Sequence, residues 1–132
     1  MKILLTSFAF ISTVFFGCSL AKPEGAITLM DSYWKLYERK QYDSLRTFYI
    51  PKGDNPQERL SGMLNELKNV DNRFGKVIEV RLTKSTSENS FEDGKSVRLE
   101  YEVIYENAII PHSFYFKEEK GIYKILEHSF ES

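Results

Sequence analysis

The chain has 132 residues, with 18 Lys and Arg against 19 Asp and Glu, two histidines and one cysteine, for a formal net charge of −1. A single cysteine excludes an intramolecular disulfide framework and any multi-cysteine metal site, and a balanced charge lacks the basic footprint of a nucleic-acid binder. With 14% aromatic residues, 7 Gly and 4 Pro, collagen-like, coiled-coil and disordered compositions are excluded as well.

The chain begins with Lys2 followed by fourteen uncharged residues, Ile3 to Phe16. A transmembrane helix needs about 20 apolar residues and a secretory h-region about 7–15, so residues 1–17 are predicted to be a cleaved signal peptide. Phe15-Phe16-Gly17-Cys18 resembles a bacterial lipobox, which implies acylation of Cys18 and a mature chain starting there. Several acyl chains, each adding about 0.8 kcal/mol per buried CH₂, would make a permanent membrane anchor. In a Gram-negative host, Ser19 after the cysteine implies an outer-membrane lipoprotein facing the periplasm. The alternative is small-x-small cleavage after Ala21, in Ser19-Leu20-Ala21, leaving a soluble periplasmic or secreted protein. Losing residues 1–17 removes Lys2 and no acid, so anionic lipid would not attract the remainder and membrane association would rest on the acyl group.

Residues 18–23 form a tether, and residues 24–132 are read as a single α+β domain. Ile27, Met30, Trp34 and Tyr37 repeat at helical spacing, with Ala26 and Tyr33 widening the stripe. A short helical piece is expected over Tyr42–Tyr49, followed by a break at 51–56. Asn55 as a cap, Pro56 in the first turn and Leu60, Met63, Leu64, Leu67, Val70 and Phe74 predict a second long helix that Gly75 ends.

After Gly75 the period changes to two. Ile78, Val80 and Leu82 predict one strand; a polar loop from Ser85 to Lys95 follows; Val97, Leu99, Tyr101, Val103 and Tyr105 predict a second. Turns at Asn107-Ala108 and Glu119-Lys120 lead to strands over 112–117 and 123–130. Centred there, the turns pair Tyr105 with Ile110, Val103 with His112 and Tyr101 with Phe114, then Phe116 with Tyr123, Phe114 with Ile125 and His112 with Glu127. In this register His128 points to solvent. The expected architecture is helices packed on a curved four-stranded antiparallel sheet.

Glu24-Gly25-Ala26 leading into the Trp34/Tyr37 helix, Gln41-Tyr42-Asp43, Arg73-Phe74-Gly75-Lys76-Val77, Val97–Tyr105, and Phe114-Tyr115-Phe116-Lys117-Glu118 with Gly121-Ile122-Tyr123-Lys124-Ile125 resemble small bacterial domains of the nuclear-transport-factor-2-like, cystatin-like superfamily. The resemblance spans nearly all of the chain after the export segment. It implies a cone-shaped pocket and no shared catalytic motif.

Neither HExxH, CxxC, a Walker loop nor GxGxxG is present, so no metal and no cofactor is expected. Two chemistries remain. His112 and Glu127 are the acid/base candidates, since a carboxylate beside an imidazole tunes its proton affinity, and related folds host isomerases and dehydratases. Trp34, Tyr101, Tyr105, Phe114 and Phe116 are the candidate pocket wall. The leading expectation is a non-enzymatic, lipid-anchored envelope protein that binds a small apolar ligand or an envelope protein partner. A small pocket enzyme using His112 and Glu127 and an immunity-type inhibitor of a toxin are the alternatives, and the uncovered sheet face is where a homodimer would form.

Overall fold

The computed structural model describes residues 23–90 and 94–130. The expected signal peptide, residues 1–17, both cleavage sites and Cys18 lie outside the described residues. Helix α1 spans Pro23–Glu38, a 3-10 helix Tyr42–Phe48 and helix α2 Pro56–Phe74. Strands β1 (Val77–Ser90), β2 (Gly94–Tyr105), β3 (Ile109–Glu119) and β4 (Ile122–Phe130) form one antiparallel sheet in the order β1-β2-β3-β4. This is an α+β arrangement with helices first and an open sheet after them. Among the described residues no helix is long and apolar enough to cross a membrane.

Helix α1 starts at Pro23, whose fixed φ and missing N–H suit a first turn. It buries Ala26, Met30, Tyr33, Trp34 and Tyr37, the stripe read from the sequence. Helix α2 buries Leu60, Leu64, Leu67, Val70 and Asp71. Its expected side-chain cap is absent: Asn55 adopts a left-handed φ of 52° and makes no side-chain capping bond, and its carbonyl instead accepts the amides of Glu58 and Arg59. Gly75 ends the helix at φ 90°, where a Cβ would stand 2.9 Å from Cβ of Glu106.

The sheet departs from the expected pattern in three places. First, much of the loop expected from Ser85 to Lys95 is strand: β1 runs on to Ser90 and β2 starts at Gly94, with Thr86 opposite Arg98 and Glu88 opposite Ser96. From Arg81 to Thr86 β1 is exposed on both faces, so apolar alternation could not mark its continuation. Second, the β2–β3 turn is centred on Glu106-Asn107. That places Tyr101 opposite His112 and Leu99 opposite Phe114, two residues from the expected register but on the same faces.

Third, the β3–β4 turn is centred on Lys120-Gly121, both at positive φ (53° and 80°), the twist a tight hairpin favours and glycine supports. Phe116 therefore pairs with Ile125. A bulge then intervenes at Leu126, so that Tyr115 faces Glu127, Phe114 faces His128 and His112 faces Phe130. One extra residue exchanges the faces of everything after it. His128 turns toward the interior and Glu127 toward solvent, the reverse of the expectation.

Candidate functional site

The aromatic residues expected to wall a pocket are instead packed in the core. Phe114 and Phe116 are fully buried, and Trp34, Tyr101 and Tyr105 nearly so. Trp34 meets Tyr101 and Phe114 edge to face at 5.3 and 5.6 Å between ring centroids, and Tyr101 meets Phe114 at 5.9 Å. Such pairs are the favoured packing of rings in a core. Through Trp34, and through Tyr37, whose hydroxyl meets that of Tyr105, helix α1 is held to the sheet.

The acid/base candidates are not brought together either. Glu127 is exposed, and its carboxylate lies 3.5 Å from Lys52 Nζ. His112 is 1% exposed, with its ring near-parallel to those of Phe114 and Phe130 at 6.2 and 5.2 Å. Its Nδ1 stands 2.9 Å from His128 Nε2, and its Nε2 stands 3.3 Å from the Tyr105 hydroxyl. The partner of His112 is the other histidine.

A short repeat explains that meeting. His-Ser-Phe occurs at 112–114 and again at 128–130. The two copies lie antiparallel on neighbouring strands with Ser113 opposite Ser129, so each histidine faces the phenylalanine of the other copy. Phe114 stacks on His128 at 3.9 Å. The repeat is legible in the sequence, and with one residue of bulge it specifies the register.

The two imidazoles are the middle of a longer hydrogen-bonded chain. His128 Nδ1 is 3.0 Å from the Tyr49 hydroxyl, which is 2.6 Å from that of Tyr33; beyond His112, Tyr105 is 2.7 Å from the Tyr37 hydroxyl. Helix α1 thus supplies both ends, Tyr33 and Tyr37, one turn apart. Near the second end the Tyr42 hydroxyl donates to the buried carboxylate of Asp71, and Lys40 lies 3.6 Å from the same oxygen.

Every ring nitrogen of both histidines is engaged within the protein. With both rings neutral, one proton lies between them, and the chain can run with all its donors pointing either way. Burial drives the rings to this state: His112 is pushed down to about 3, and His128 is held well below its ordinary value by burial and by His112. Burial raises the phenols, Tyr105 to about 12. The chain is uncharged at neutral pH.

One accessible feature is a cleft of about 410 Å³ where the segment after the 3-10 helix meets β4. Tyr49 forms a parallel bridge to Ile125, and the Ile50 amide donates to the Ile125 carbonyl at 2.8 Å, so this segment extends the sheet edge. Tyr49, Pro51, Leu60, Met63 and Leu126 give the cleft apolar surface; Lys52, Arg59, Arg98, Ser113, Glu127 and Ser129 give it polar surface. His128 lines it as well, which joins the cleft to the buried chain. Among the described residues no group of three or more His, Cys, Asp or Glu is placed to hold a metal ion. No protein-family model matches the chain, and a search of curated proteins finds no match to it.

Proposed function

We infer that this chain is an exported, lipid-anchored envelope protein of the nuclear-transport-factor-2-like type, and that it binds a small ligand in the cleft beside β4 without transforming it. The export and anchoring parts rest on the sequence: the uncharged run Ile3–Phe16 followed by Gly17-Cys18. The binding part rests on one observation. The cleft combines apolar surface from Leu60, Met63 and Leu126 with a few polar groups, the composition that suits a small-molecule site.

The engaged imidazoles favour binding over acid/base catalysis. A general base must reach the proton it takes, and all four ring nitrogens already hold partners inside the fold. Native mass spectrometry of the full-length protein, released gently from its own envelope, tests both parts. The expected result is an acylated N-terminal Cys18 with a discrete additional mass that Met63→Trp, placed to fill the cleft, eliminates. A chain starting at Lys22 contradicts the anchor, and a bound mass that survives Met63→Trp contradicts the cleft.

A further inference from the structure

The two histidines and the cleft share a wall, and this sets what the cleft can hold. Among the described residues, three cations, Lys52, Arg59 and Arg98, line it against one carboxylate, that of Glu127, which already lies 3.5 Å from Lys52. The cleft is therefore electropositive in a chain whose formal net charge is −1. An apolar body would lie on Leu60, Met63 and Leu126, and an anionic group would complement Arg59.

The hydrogen-bond geometry adds a proton count. If His128 is charged, it donates to both Tyr49 and His112, and His112 still donates to Tyr105, so every polar atom of the chain keeps a partner. A second proton would set two N–H groups against each other across 2.9 Å. The pair thus has room for one proton and no more, and its titration belongs to the pair rather than to either ring.

The groups facing the pair are largely neutral. Helix α1 presents Tyr33, Trp34 and Tyr37, the segment after the 3-10 helix presents Tyr49, and β2 presents Tyr101 and Tyr105. Asp71 on α2 acts on Tyr37 and Tyr105 at the far end. On the cleft side the charges are Lys52, Arg59, Arg98 and Glu127. His128 itself lines the cleft, so an anion held there favours a positive charge on its ring.

We propose that the cleft takes an amphiphilic anion, an apolar body bearing a carboxylate, phosphate or sulfonate, and that it does so with uptake of a single proton shared by His112 and His128. This rests on the cleft being the ligand site. Binding and proton uptake are then linked, so the ligand is held more tightly in a mildly acidic compartment and released as pH rises.

The test is isothermal titration calorimetry on the full chain in lipid nanodiscs, with matched empty discs, in buffers of different ionisation enthalpy. The probes are 3-phenylpropane-1-sulfonate, which stays anionic throughout, and 3-phenylpropanol, its uncharged counterpart. The sulfonate is expected to bind at least tenfold more tightly than the alcohol. It should gain at least threefold in affinity between pH 7.5 and 5.0, with proton uptake rising toward one, and Arg59→Gln should weaken it about tenfold while leaving the alcohol unchanged.

Sulfonate binding without proton uptake overturns the coupling and leaves the cleft as a ligand site. Uptake beyond one proton overturns the shared pair, and equal affinity for the two probes overturns the choice of an anion. If neither probe binds at any pH, this inference and the ligand reading fall together.

Discussion

Strand β4 has two halves that obey opposite rules. From Ile122 to Ile125 it follows the simple alternation set by the Lys120-Gly121 turn, with Ile125 fully buried. From Glu127 to Phe130 the same alternation continues displaced by one residue, because Leu126 is absorbed in the bulge. In the first half an apolar residue is buried by its position. In the second an imidazole is turned inward beside a carboxylate that is left in water. Position relative to a bulge, and not residue chemistry, separates Glu127 from His128.

The largest single-residue test of this contrast is at the ring that joins the halves. Phe114 is fully buried, stacked on His128 and in edge contact with Tyr33, Trp34 and Tyr101. Phe114→Ala is expected to cost about 3–5 kcal/mol in urea denaturation. A loss under about 1 kcal/mol would mean that this core is not packed as described.

Next is acid. Both histidines are depressed in the folded protein, so the unfolded chain takes up protons first and stability is lost as pH falls below about 6.5, for His112 down toward its folded value of about 3. The loss should reach about 1.4 kcal/mol per pH unit for each histidine, measured as the urea midpoint at stepped pH. A midpoint unchanged between pH 7 and 5 would show the rings to be solvated.

His112→Phe follows in size. It strips a partner from the buried Tyr105 hydroxyl and from His128 Nε2, each worth about 1–3 kcal/mol when left unpaired. Stabilisation by this change would contradict the buried chain. Deleting Leu126 is expected to cost only about 1–2 kcal/mol, because removing the extra residue restores plain alternation and still turns His128 inward. Outright unfolding of that variant would break the account of the bulge. Smallest is Glu127→Gln, an exposed partner of an exposed lysine, expected within about 0.5 kcal/mol by thermal denaturation.

Hydrophobic periodicity carried much of the fold. The buried stripes of α1 and α2 and the inward residues Val97, Leu99, Tyr101, Val103 and Tyr105 were legible because each repeat matches the period of its element. The register was harder. Gly121 and the positive φ of Lys120 place the turn one residue later than Glu119-Lys120, and a turn shifted by one moves every cross-strand pair by two. The distal part of the β1–β2 hairpin carries no apolar alternation to read, since from Arg81 to Thr86 it is exposed on both faces.

The site was less legible for a physical reason. His112 was identified, but its partner depended on a bulge, and a bulge leaves no mark in composition or period. The paired His-Ser-Phe tripeptides were the available signal, since a motif that faces its own copy in antiparallel register lends both its histidines to one place. The cleft lay beyond reach because it is built from the segment after the 3-10 helix, whose bridge to Ile125 is a long-range contact.

Nitrogen NMR of the full-length protein labelled in its histidine rings tests the central claim most directly. The account predicts two neutral rings from pH 8 to 5, joined by a scalar coupling across the hydrogen bond between His112 Nδ1 and His128 Nε2. Two rings that titrate independently near pH 6.5, with no coupling between them, would contradict it.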